Sequence, residues 1–116
     1  MKTGQNSKES IFVAIYDVVR SVPKGRVTSY GAVAAAIGAK SGARVVGYAM
    51  NASFGVKPKV PAHRVVNRNG MLTGKHHFSP PEKMQQLLEK EGIKIMDDKV
   101  VGFDKLFWDP MKELAM

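Results

Sequence analysis

The sequence contains no cysteine. That absence excludes a disulfide, a thiolate nucleophile and any cysteine-ligated metal. It also lacks an apolar run long enough to cross a bilayer, so no membrane association is expected. The opening MKTGQNSKES carries lysine but no apolar core of the kind a secretory signal needs, and the expected location is cytoplasmic, nucleoid-associated in a bacterium. Acidic side chains are scarce, with ten Asp and Glu against eighteen Lys and Arg, a formal charge of +8. Such a surplus fits a polyanion, nucleic acid foremost, although basic residues also serve solubility alone. Repeats, low-complexity stretches and linkers are missing too. The 116 residues therefore read as one domain over 1–116, enough for one modest core.

Apolar periodicity places the elements. Ile11, Phe12, Ile15, Val18, Val19 and Val22 recur at helical spacing from Ser7 to Val22, while Lys8, Glu9, Asp17 and Arg20 fall off that stripe. Pro23-Lys24-Gly25 ends this helix, and Arg26 to Thr28 is extended. Thr28 or Ser29 can cap a second helix to about Ile37, with Gly38 at its exit. Ser41 can cap a third, which carries Arg44, Val45, Val46, Tyr48, Ala49 and Met50 and is kept slim by Ala43, Gly47 and Ala49. Two short helices across a glycine turn outline a helix-turn-helix, a shape shared by helical hairpins that touch no DNA.

Phe54 to Pro61, with Gly55, Pro58 and Pro61 among lysines, reads as an ordered loop. Val65-Val66 and Met71-Leu72 flank Asn69-Gly70, which predicts a small hairpin, or wing. Ser79-Pro80-Pro81-Glu82 has the pattern of a capping box opening a helix through Met84, Leu87 and Leu88 to Gly92. Ile93 and Ile95, a turn at Asp97-Asp98, then Val100 and Val101 predict a second hairpin. Phe103, Leu106, Phe107 and Trp108 must pack back on the domain, and the tail from about Ile95 either covers the core or offers a surface to a partner. The expected fold is mainly α with small β hairpins.

The segment Val60-Pro61-Ala62-His63-Arg64-Val65-Val66 resembles the active-site motif of the O6-alkylguanine-DNA alkyltransferases, Pro-Cys-His-Arg-Val, with Ala62 at the cysteine position. Arg26-Val27-Thr28-Ser29-Tyr30-Gly31 resembles the family's entry to its helix-turn-helix, Ala43-Arg44-Val45-Val46-Gly47 its recognition helix, and Leu87-Leu88-Glu89-Lys90-Glu91-Gly92 the helix end that supplies a buried glutamate. The likeness covers about residues 10 to 95 and implies a winged helix-turn-helix like the family's C-terminal domain. It also implies that His63 and Glu91 retain the relay that takes the thiol proton in the enzymes, whereas the methyl group of Ala62 has no lone pair with which to attack an alkyl carbon. No catalytic residue is therefore expected. The loss resembles the alkyltransferase-like proteins, whose better-known members carry tryptophan at this position; the smaller Ala62 implies room for bulkier O6 substituents.

The resemblance further implies that Tyr30 rotates the target nucleotide and Arg44 fills the gap it leaves, since an inserted side chain recovers part of the cost of unstacking a base. Ala43 and Gly47 would lie on the same DNA-binding helix. Phosphate contacts are expected from Lys57, Lys59, Arg64, Arg68 and Lys75, and the lesion pocket from Tyr30, Pro61, Ala62, His63, Val65 and Val66, with Met71, His76, His77 and Phe78 near its remaining wall. Asn51 lies near the family's pocket asparagine. Adjacent His76 and His77 point apart on most backbones and have no acidic cluster, so neither metal nor cofactor is expected. The implied function is non-enzymatic recognition of O6-alkylguanine in double-stranded DNA by a monomer that flags the lesion for nucleotide excision repair proteins. Rival readings are a plain winged-helix regulator with a vestigial pocket, and a hydrolase using His63 and Glu91 on a bound water.

Overall fold

In the computed structural model, residues 7–39 and 42–114 are described, with side chains from Ser10 onward. The order is α1 (Ser7–Ser21), β1 (Thr28–Ser29), α2 (Tyr30–Ile37), α3 (Ala43–Asn51), β2 (Val65–Val66), α4 (Glu82–Lys90), β3 (Ile95–Met96), β4 (Lys99–Val100), α5 (Phe103–Leu106) and α6 (Pro110–Glu113). Single 3-10 turns lie at Ala62–Arg64 and Thr73–His77. This is the mainly helical fold the sequence implied.

The core forms where the helical stripes meet. Ile15, Val19 and Val22 of the first segment, Val33 and Ala34 of α2, and Val46, Ala49 and Met50 of α3 are buried together with Met84 and Leu88 of α4. Ile11, one turn before Ile15 on the same face, is exposed, so the packing partners stop short of that turn. Of the two possible caps on α2, Ser29 is the one used, its Oγ accepting the Ala32 N–H at 3.1 Å. Gly38 closes the helix at φ 67°, a left-handed conformation that costs glycine little. Gly42 stands at the start of α3 with no side-chain cap, and the predicted cap Ser41 lies outside the described residues.

Two local expectations are corrected. Val65-Val66 does not pair with Met71-Leu72 as a wing hairpin; β2 runs parallel to β1, with Thr28 opposite Val65 and Ser29 opposite Val66. The Asn67 side chain explains the difference. Its Oδ1 accepts the N–H groups of Asn69 and Met71 while its own N–H donates to the Met71 carbonyl, closing a side-chain-stapled loop that stops the pairing at that residue. Met71 then bridges Lys99, and Leu72 donates to the Asp98 carbonyl, so this segment joins the second hairpin. That hairpin is as predicted: β3 and β4 flank Asp97 and Asp98, both at positive φ, as a two-residue hairpin turn demands. The Ser79 capping box is also absent. α4 opens after Pro81 without a side-chain cap, and the carbonyls of Pro80 and Pro81 accept the N–H groups of Lys83 and Met84.

The tail covers the core. Val27 donates to the Leu106 carbonyl and accepts from Trp108 N at 2.7 Å, while the Arg26 guanidinium donates to the carbonyls of Leu106 and Phe107. Trp108 is buried there, and Val100 is buried in β4, its N–H donating to the Gly70 carbonyl.

Candidate nucleic-acid interface

The loop that carries Ala62 is locked from behind by one carboxylate. Glu91, at the end of α4, accepts from His63 Nε2 at 2.7 Å, from Arg64 Nη2 at 2.8 Å and from the backbone N–H of Gly25 at 2.9 Å. Arg64 Nε also donates to both Glu91 oxygens, and its Nη1 donates to the Val22 carbonyl. Three segments distant in sequence are thus tied together: the turn after α1, the 3-10 turn and α4. Burial pulls the Glu91 carboxyl upward, but the hydrogen bonds from Arg64, Gly25 and His63 outweigh it and bring its pKa to about 2. Burial also lowers the His63 pKa from the ordinary 6.5, more than its contact with Glu91 raises it. The two groups together fix the tautomer. An ionised Glu91 can only accept, so His63 donates Nε2–H and keeps the lone pair of a neutral ring on Nδ1.

On the open side, Ala62 and His63 floor a cleft of about 380 Å³, within the size range of ligand-binding pockets. Phe54 and Phe78 wall it, their rings edge to face with centroids 4.9 Å apart. Lys59 and Lys83 stand at its margin, and His77 contributes from the second 3-10 turn. An adjoining hollow holds Tyr30 against Ala62, Met50 and Gly74. Any Cβ at Gly74 would collide with the Tyr30 hydroxyl, so glycine there sets the height of the phenol. Burial raises the Tyr30 pKa and keeps the ring a neutral hydrogen-bonding group.

The predicted site residues divide accordingly. Ala62, His63, Tyr30, His77 and Phe78 come together. Pro61 lies on the other flank of the loop, lining a larger and more open cleft of about 630 Å³ with Arg20, Lys24, Lys90 and the Glu91–Arg64–His63 group. Val65 and Val66 are corrected: both are 0 % exposed in β2 and support the loop from beneath without lining the cleft. Arg64 is corrected as well, because its guanidinium turns inward to Glu91 and Val22, with the side chain 16 % exposed. Lys75 is paired with Asp98. Met71 sits in the strand bridge to Lys99, and His76 is exposed away from the cleft lining. Among the described residues, no three His, Asp or Glu side chains are grouped as a metal would require.

Lys57, Lys59 and Arg68 are exposed, without an acidic partner among the described residues. Arg44 is exposed at the start of α3, its Nε donating to the Tyr48 hydroxyl at 3.2 Å. With Ala43 and Asn51 exposed and Gly47 half-buried, Arg44, Tyr48 and Asn51 form one outward stripe. Sequence reasoning passed over Tyr48 as a surface residue, though its spacing four residues after Arg44 was the available signal. It also passed over Ser53, Phe54 and Lys83. A large aromatic beside Gly55 in an otherwise polar loop was the clue to Phe54, whereas nothing local distinguishes Lys83 from other helix-surface lysines.

The family described as 6-O-methylguanine DNA methyltransferase, DNA binding domain, matches residues 10–93. Alkyltransferase-like protein 1 of Schizosaccharomyces pombe is 29% identical over 106 residues, 88% of this chain and 97% of that protein. A DNA base-flipping protein of Vibrio parahaemolyticus is 31% identical, covering 88% of this chain and 99% of its own. The methylated-DNA–protein-cysteine methyltransferase of Salmonella typhimurium is 37% identical over 82 residues, but this chain spans only 46% of its length. In three dimensions the chain resembles S. pombe Atl1 in complex with damaged DNA containing O6-carboxymethylguanine, with a TM-score of 0.72, 30% identity, and coverage of 93% of this chain and 98% of the other.

Proposed function

The chain belongs to the family of the 6-O-methylguanine DNA methyltransferase DNA-binding domain, and from that premise we propose that it senses O6-alkylguanine in duplex DNA, receives the everted base in the Ala62 cleft and leaves it chemically unchanged. The single observation that carries the reading is the intact His63–Glu91 hydrogen bond beside a methyl group. The relay is present and has no proton to relay. Displacement at an alkyl ether calls for a soft nucleophile such as a thiolate, and with no cysteine in the chain alkyl transfer is absent.

Recognition then rests on extrusion. An O6-alkylated guanine pairs poorly, so it costs less to remove from the stack than a normal base. Tyr30 lies beside the receiving cleft, and Arg44 projects from α3, where a guanidinium can stack between bases and bond to the orphaned partner. Lys57, Lys59 and Arg68 supply phosphate contacts that position the duplex without reading sequence. A protein that binds a lesion without altering it requires a downstream step that excises the nucleotide. We assign that step to nucleotide excision repair, with the sensor acting as a monomer in the compartment that holds the DNA.

Two measurements test the proposal. Duplexes with and without one O6-methylguanine are compared by fluorescence anisotropy, and the alkyl group on the base is followed by mass spectrometry during incubation. Tighter binding of the modified duplex with the alkyl group retained is expected. Equal affinity, or loss of the alkyl group in proportion to protein, refutes it.

A further inference from the structure

The cleft carries charge of one sign. Lys59 and Lys83 both line it, together with His63 and His77, and among the described residues no Asp or Glu does. Neither lysine forms an ion pair among the described residues, and Glu91 is held behind the loop by Arg64 and His63. The rest of the lining is apolar or uncharged, from Phe54 and Phe78 to Ala62 and Ser79. Lys59 and Lys83 are exposed at the rim and Phe54 is half exposed, so the two ammonium groups act across the mouth of the cleft, where like charges gathered on one margin attract a bound anion with a salt-dependent strength. Ala62 leaves the floor open where a bulkier side chain would fill it, which makes space for an O6 substituent of more than one carbon.

We propose that Lys83, assisted by Lys59, makes this cleft selective for O6-guanine adducts bearing a carboxylate, in preference to neutral adducts of the same shape. The inference rests on the proposed function, since it presumes that the modified base enters the cleft. It adds a residue that sets specificity and the chemical class of the preferred substituent. Selectivity arises because an anionic group leaves the free duplex carrying its own hydration and meets two unpaired cations at the cleft margin, whereas an amide of equal size gains only hydrogen bonds.

The test uses four duplexes of one sequence, containing guanine, O6-methylguanine, O6-carboxymethylguanine or O6-carbamoylmethylguanine, the last being the uncharged amide of the third. Binding by the intact protein and by its Lys83→Gln variant is measured by anisotropy at low and high salt. The carboxymethyl duplex is expected to bind about tenfold more tightly than the carbamoylmethyl duplex. Lys83→Gln is expected to shrink that ratio to about twofold by weakening the carboxymethyl duplex several-fold more than the O6-methylguanine duplex, and added salt is expected to narrow it further. Equal binding of the acid and the amide overturns the inference. So does a Lys83→Gln variant that loosens all four duplexes by one common factor, because that pattern assigns the lysine to backbone phosphate. The two readings fail separately: tight O6-methylguanine binding with no acid-over-amide preference removes only the charge selectivity, whereas equal binding of guanine and O6-methylguanine removes the sensor and the selectivity with it.

Discussion

Two buried residues have opposite consequences for stability. Thr28 Oγ1 is fully buried in β1 with no hydrogen-bond partner among the described residues. An unmade bond of this kind costs about 1–3 kcal/mol, so Thr28→Val, which keeps the branched shape favoured in a strand, is expected to raise stability by about 1 kcal/mol in urea unfolding. Glu91 works in the other direction. Its pKa is about 2 in the fold against an ordinary 4.5, so the folded form binds the proton less readily and stability is lost as pH falls from 4.5 toward 2, by about 3 kcal/mol in all. His63 adds to the same trend, since its lowered pKa means that the unfolded chain takes up a proton first as pH drops below 6.5. Denaturant midpoints measured from pH 7 to pH 3 should decline throughout, and Glu91→Gln should flatten the part below pH 4.5 while lowering stability at neutral pH, because Arg64 then loses its charged partner.

At the scale of the element, α3 joins the core to the proposed DNA surface. Val46, Ala49 and Met50 anchor one face, and Arg44, Tyr48 and Asn51 occupy the other. Arg44→Ala leaves the anchoring face intact, so the fold should persist. The expected loss is specific: affinity for an O6-methylguanine duplex falls by about tenfold, while affinity for the unmodified duplex falls by about twofold, the share of one lost charge. Anisotropy on the two duplexes, with 2-aminopurine beside the lesion reporting unstacking, checks this. A uniform loss on both would place Arg44 on phosphate. Circular dichroism of the variant separates either result from unfolding.

Across the whole molecule, the C-terminal segment acts as a strap. Val27 and Arg26, which lead into the helix-turn-helix, are held by the backbone of residues 106–108, and Val100 and Trp108 close the core from that side. A chain ending at Lys94 loses these contacts at once. It is expected to lose at least about 5 kcal/mol, enough to take a domain of this size to the edge of folding, with lesion binding lost in parallel. Near-ultraviolet circular dichroism and calorimetry of the shortened chain give the readout.

What the residues alone determined had a local physical signature, although the Asn69-Gly70 wing and the Ser79 cap had one as well and did not form. Apolar spacing gave α1 to α4 but not the short α5 and α6, Asp97-Asp98 gave a hairpin turn, and Ala62 in a motif otherwise kept intact gave a relay with no nucleophile. Tertiary structure decided the rest because it depends on segments that meet only after folding. Thr28 and Val65 pair across the intervening helices α2 and α3, which no local pattern encodes, and that pairing turned the expected wing into a buried parallel ladder. Arg64 reads as a surface cation until Glu91 arrives from α4 to neutralise it. Lys83 acquires its meaning the same way, when the loop carrying Phe54 folds over the start of α4 and encloses a cleft with charge of a single sign.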